Sequence, residues 1–120
     1  MVQGELAALK DMLKGNKLYK KLLVRYELME EEDSLVFQEP GTGFRVVARF
    51  EDGLLKLSFE YDDEELRDFL YEEDIDYVKE LLNDAMLLIE TIAYTASHKW
   101  MVVKDMSSIL DLINILEEQE

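Results

Sequence analysis

The sequence predicts an α+β domain: a four-stranded antiparallel meander over about residues 18–61, covered on one face by an N-terminal helix and C-terminal helices. Three observations predict it. Apolar residues alternate with polar ones through residues 18–61, which is the period of a half-buried strand. They recur at three- and four-residue spacing on either side of that stretch, which is the period of a helix facing a core. Asp52-Gly53 sits between two alternating runs, and this dipeptide favours a two-residue hairpin because both central positions need positive φ.

Leu6, Leu9, Met12 and Leu13 share one helical face, and Gly15-Asn16 is a stop signal, so a first helix is expected over residues 3–14. From Leu18 the pattern reads as a strand. Leu18, Leu22, Val24, Tyr26 and Leu28 lie on one face, with Tyr19, Lys21, Leu23, Arg25 and Glu27 on the other. The polar knot Glu30-Glu31-Glu32-Asp33 breaks it, and a short second strand follows over residues 34–39. Pro40-Gly41-Thr42-Gly43 is a turn. Phe44, Val46, Ala48 and Phe50 then form an apolar face that continues after Asp52-Gly53 as Leu55, Leu57, Phe59 and Tyr61. Such a sheet is polar on one side and needs a cover on the other.

The C-terminal half supplies that cover. Acids at positions 62–65 suit a helix N-terminus, and Leu66, Phe69 and Leu70 follow at helical spacing. Ile75, Val78, Leu82, Ala85, Ile89, Ile92 and Ala96 make one stripe of a long helix. Residues 91–103 fit two patterns, because β-branched and aromatic residues flank the polar Ser97-His98-Lys99. They read either as the end of that helix or as an extra hairpin. A last helix starts near Ser107, with Ile109, Leu112, Ile113 and Leu116 inward.

The 120 residues are expected to form a single domain, 1–120. There are no cysteines, which removes disulfides, thiolate nucleophiles and thiolate-bound zinc. No cleavable leader pattern opens the chain and no apolar run is long enough to span a bilayer, so the expected compartment is cytoplasmic.

Charge is the dominant feature. The formal net charge is −15, and residues 30–120 hold 25 of the 28 acids. Residues 1–29 are mildly basic, with Lys10, Lys14, Lys17, Lys20, Lys21 and Arg25 against three acids. Ten of the seventeen residues from 60 to 76 are carboxylates, relieved by Arg67 alone. Such density is stable in water or against a cationic partner, and it repels nucleic acid and anionic lipid.

No catalytic constellation accompanies it. The one histidine, His98, adjoins Ser97 without a nucleophile elbow. The glycines at 41 and 43 precede a strand rather than the helix that a phosphate loop requires. The acids of 62–76 lack the order of a calcium loop. The expected catalytic, metal and cofactor assignments are therefore none.

The leading expectation is a non-catalytic acidic interaction protein: an adaptor, chaperone or inhibitor that meets a basic protein partner. Its partner-binding residues would be Asp62, Asp63, Glu64, Glu65, Asp68, Glu72, Glu73, Asp74 and Asp76. A polyanion mimic is the alternative. Residues 62–76 as one helix would extend about 22 Å and carry eight net charges, near the density of a nucleic-acid strand at roughly one per 3.4 Å. A second alternative is nucleic-acid binding by the basic N-terminal patch, with Tyr19 and Tyr26 stacking on bases. Apolar residues beyond the main helical stripes, namely Leu81, Leu88, Tyr94, Leu110 and Ile115, predict a homodimer through the C-terminal helices. No family motif is matched. The order of elements resembles the layout of small acidic secretion-type chaperones, a likeness that carries over no residue.

Overall fold

The computed structural model describes residues 2–72 and 74–119. Helix α1 (Val2–Lys14) and the short α2 (Lys17–Leu23) precede four strands: β1 (Glu27–Glu30), β2 (Ser34–Gln38), β3 (Arg45–Glu51) and β4 (Leu54–Glu60). Then come α3 (Asp63–Glu72), α4 (Ile75–Ala96), β5 (Val102–Asp105) and α5 (Ser107–Glu118). The fold is α+β, with the five strands in one mixed sheet in the order β1-β2-β3-β4-β5.

The first four strands form the expected meander. Asp52 and Gly53 take φ of 50° and 80°, the conformation that matches the right-handed twist of the flanking strands. The register follows, with Glu51 opposite Leu54 and Ala48 opposite Leu57. Leu35, Phe37, Val46, Ala48, Phe50, Leu55, Leu57 and Phe59 point to one face and are buried. Against them pack Leu6, Leu9 and Leu13 of α1, Ile109, Leu112 and Leu116 of α5, and the stripe of α4. The other face carries Arg45, Arg49 and Lys56 around Val36 and Val47, which are buried as well. Long basic side chains commonly shield apolar surface while keeping their charged ends wet. Arg45 pairs with Glu31 (3.5 Å) and Glu60 (3.8 Å), and Arg49 with Asp33 (3.7 Å).

One expectation is corrected, and one pair of open readings is resolved. Residues 17–23 form a helix, not the start of a strand. Asn16 caps it by accepting the Tyr19 N–H at 3.0 Å, and Lys20 and Lys21 occupy its last turn, where cations favour the helix dipole. Tyr19 and Leu22, one turn apart, are buried, whereas Leu18 and Val24 of the expected apolar face are exposed. The strand begins only at Glu27.

Residues 91–103 form no hairpin. Helix α4 continues through Ala96, because Val78, Leu82, Ala85, Ile89, Ile92 and Ala96 all reach the core at helical period. The chain turns after Ala96, whose carbonyl accepts the Trp100 N–H at 2.9 Å. It then enters β5, which pairs parallel to β4 with Leu55 opposite Val102. A parallel pair requires a long crossover, and α3 with α4 provides it. No described helix is long and apolar enough to cross a membrane.

Candidate functional site: an acidic groove beside the β2–β3 turn

Most acids of residues 62–76 have a local structural role. Asp62 accepts the Glu65 N–H at 3.0 Å ahead of α3, and Asp63, Glu64 and Glu65 stand in its first turn. Asp74 caps α4 by accepting the Asp76 N–H at 3.0 Å, and Asp76 stands in that first turn. Carboxylates satisfy the orphan N–H groups of a helix start and complement its dipole. Local helix chemistry accounts for these six residues. Glu73 lies outside the described residues.

Asp68 and Glu72 remain, and Glu65 shares their face. They stand at i, i+3 and i+7 of α3, on one exposed face. This face and the turn between β2 and β3 form two walls of a groove of about 280 Å³. Gln38, Pro40, Gly41 and Gly43 line the turn side, and Phe69 adds an apolar surface. Phe69 is half-buried, with its ring 6.0 Å from that of Tyr77.

The turn wall is held from within. The nearly buried Glu39 carboxylate accepts the Gly41 N–H at 2.9 Å, and the Thr42 N–H and hydroxyl each at 2.6 Å. The Thr42 hydroxyl in turn accepts the Phe44 N–H at 3.1 Å. Gly43 has φ +76°, and a Cβ there would collide with the Glu65 carboxylate. The left-handed backbone is what requires the glycine, since the exposed Glu65 carboxylate is the end of a flexible side chain that can swing aside.

Ion pairs lie elsewhere. Lys10 pairs with Glu30 at 2.9 Å, Arg25 with Glu80 and Asp84 at 3.2 Å each, and Lys104 with Glu90 at 2.7 Å. Among the described residues no ion pair reaches Glu65, Asp68 or Glu72, and no group of acids or histidine is arranged to hold a metal ion. The groove can therefore offer three negative charges and an aromatic edge to a ligand.

The other expected sites fare unequally. The acidic run is split between α3 and α4, so the single charged rod on which mimicry of a polyanion was reckoned does not form. Tyr19 and Tyr26 are buried and cannot stack on bases. Burial also pushes both phenols above their ordinary value, with Asp84 and Glu39 adding to the effect at Tyr26. In the basic patch, Lys10, Lys14 and Arg25 are paired within the chain.

Of the expected dimer residues, Leu81 and Leu88 are buried inside the subunit, so the chain itself supplies the cover sought for them. Tyr94 and Leu110 are exposed and Ile115 is half-buried. His98 turns its Nδ1 to the Tyr94 carbonyl at 3.0 Å, at the end of α4.

The turn residues of the groove were missed because they lie twenty or more positions from α3. The only signal for them was the glycine pair at 41 and 43, which reads locally as a plain turn. Comparison with known proteins adds no constraint: no family model, curated protein or solved structure matches this chain.

Proposed function

We propose that this chain is a non-catalytic acidic interaction protein, an adaptor, chaperone or inhibitor. It receives a basic segment of a protein partner in the groove between α3 and the β2–β3 turn. One observation carries the reading: Glu65, Asp68 and Glu72 have no ion pair among the described residues and share a concave surface with Phe69, and Asp68 and Glu72 stand clear of either helix start. A lysine or arginine side chain suits such a site, since its charge meets the carboxylates while its stem lies along the ring. The protein acts as a homodimer. Its remaining exposed apolar side chains, among them Tyr94, Leu110 and Met101, support that part of the reading.

The test is calorimetric titration with a synthetic peptide rich in lysine and arginine and carrying one apolar anchor. Wild-type protein binds, and affinity falls as salt is raised. The triple variant Glu65→Lys, Asp68→Lys, Glu72→Lys binds at least about tenfold more weakly while keeping its circular dichroism spectrum. Equal binding by the variant refutes the groove. If heparin binds the wild type as well as the peptide does, the site is not selective for cations.

A further inference from the structure

The two edges of the sheet differ in charge, and that difference indicates where two copies can meet. Strand β1 forms one edge. It carries Glu27 and Glu30 and runs into Glu31, Glu32 and Asp33; Lys10, Arg45 and Arg49 pair with Glu30, Glu31 and Asp33, and Glu27 and Glu32 have no ion pair among the described residues. Two such edges side by side would set like charges against each other, which keeps edges apart. Strand β5 forms the other edge, where Lys104 is paired with Glu90 and Asp105 has Lys56 near it. In a chain of net charge −15 this is a neutral strip, and Met101 and Val103 are exposed along it.

The backbone of β5 is also set for a further strand. Leu55 donates its N–H to the Met101 carbonyl at 2.9 Å. In a parallel ladder alternate residues bond to the neighbour. Met101, Val103 and Asp105 therefore turn their backbone groups toward β4, and Val102 and Lys104 turn theirs outward.

We propose that the open edge of β5 receives the β5 of a second copy, antiparallel across a two-fold axis normal to the sheet. This joins two five-stranded sheets into one. The inference rests on the dimeric part of the function proposed above and moves the interface from the helix faces to the sheet edge. Only one centred register lets the outward groups of Val102 and Lys104 bond reciprocally to those of Lys104 and Val102 in the second copy. Val103 then faces its own counterpart at the centre, in a non-hydrogen-bonded pair, with Met101 beside the other copy's Asp105. No like charges stand directly opposite in this arrangement.

The chain has no cysteine, so engineered thiols test the register cleanly. Val103→Cys forms a covalent dimer on mild oxidation, because side chains of such a pair lie within disulfide reach. Met101→Cys and Lys104→Cys remain largely uncrosslinked. In sedimentation the wild type shows twice the 14.1 kDa chain mass. Lys104→Pro removes one outward N–H without touching the β4 ladder, and it sediments at the single mass, whereas Lys104→Ala stays dimeric. On wild-type protein, hydrogen exchange at the Val102 and Lys104 amides slows as concentration rises through dimerisation.

Monomeric wild type at all concentrations sinks both the dimer and this interface. A dimer that survives Lys104→Pro, leaves those two amides unprotected or dissociates with Leu110→Glu sinks the edge alone. Peptide binding in the α3 groove is measured independently of either result.

Discussion

Helices α3 and α4 follow each other closely, yet they are held by different forces. Helix α4 buries nine residues of its 22, and they meet α1, α2, α5 and the sheet. Helix α3 buries only Leu66, with Phe69 and Leu70 half-buried. Its place depends on that leucine and on the Asp62 cap. A helix held by the core cannot easily change its side chains, because close-packed interiors register each lost methylene. A helix held by a cap and one anchor leaves most of its surface free for a ligand. The groove lies on the second kind of element, and functional segments are commonly drawn from such less firmly packed regions.

This contrast can be broken by mutation, and the largest effect belongs to the core. Leu88→Ala in α4 removes a fully buried side chain and is expected to cost about 2–5 kcal/mol, a large share of a typical domain's stability. Urea unfolding followed by circular dichroism measures it. A loss below about 1 kcal/mol would show that α4 is not the centre of the core.

Alkaline pH probes the same core from another side. Burial holds the Tyr26 phenol above its ordinary 10.0, with Asp84 and Glu39 reinforcing the shift. A raised folded value means that this contribution is complete below the ordinary value and is lost as pH rises above it through the folded value. Stability should therefore fall above about pH 10, and Tyr26→Phe should flatten that fall. Denaturant midpoints across pH 9 to 12 check it, by the same linkage.

A smaller effect is expected at the junction between the helices. Asp74→Ala removes the cap of α4 and is expected to cost about 1 kcal/mol, visible as a shift in urea midpoint with unchanged slope. The smallest belongs to the groove. Glu65→Gln, Asp68→Asn and Glu72→Gln together remove like charges one turn apart but also take a first-turn acid from α3, so the two effects oppose and stability should change by no more than about 0.5 kcal/mol. The same variant should lose affinity for the basic peptide. A large loss of stability would mean that these carboxylates are structural and would erase the contrast with α4.

Local signals made much of the fold legible. The Asp52-Gly53 hairpin, the alternation through β3 and β4 and the stripe of α4 each obey a period that backbone geometry imposes within a few residues. Where two periods fit the same residues, local pattern does not choose between them. Residues 17–23 satisfy strand alternation through Leu18, Leu22 and Val24, yet the Asn16 cap and the burial of Tyr19 with Leu22 make them a helix. The acids at 62–76 were visible as a mass of charge, but not which of them would be used up as helix caps.

By itself the sequence determined the α+β class, the meander and its apolar face, the helical cover and the gross division of charge, all of which follow from side-chain period and composition. Tertiary structure alone decided that β5 pairs parallel with β4, that Leu81 and Leu88 are covered within the subunit and that Glu65, Asp68 and Glu72 face the β2–β3 turn. The reason is physical. Period and capping act between neighbours along the chain, whereas strand order, burial and the walls of a groove depend on which distant surfaces exclude water together.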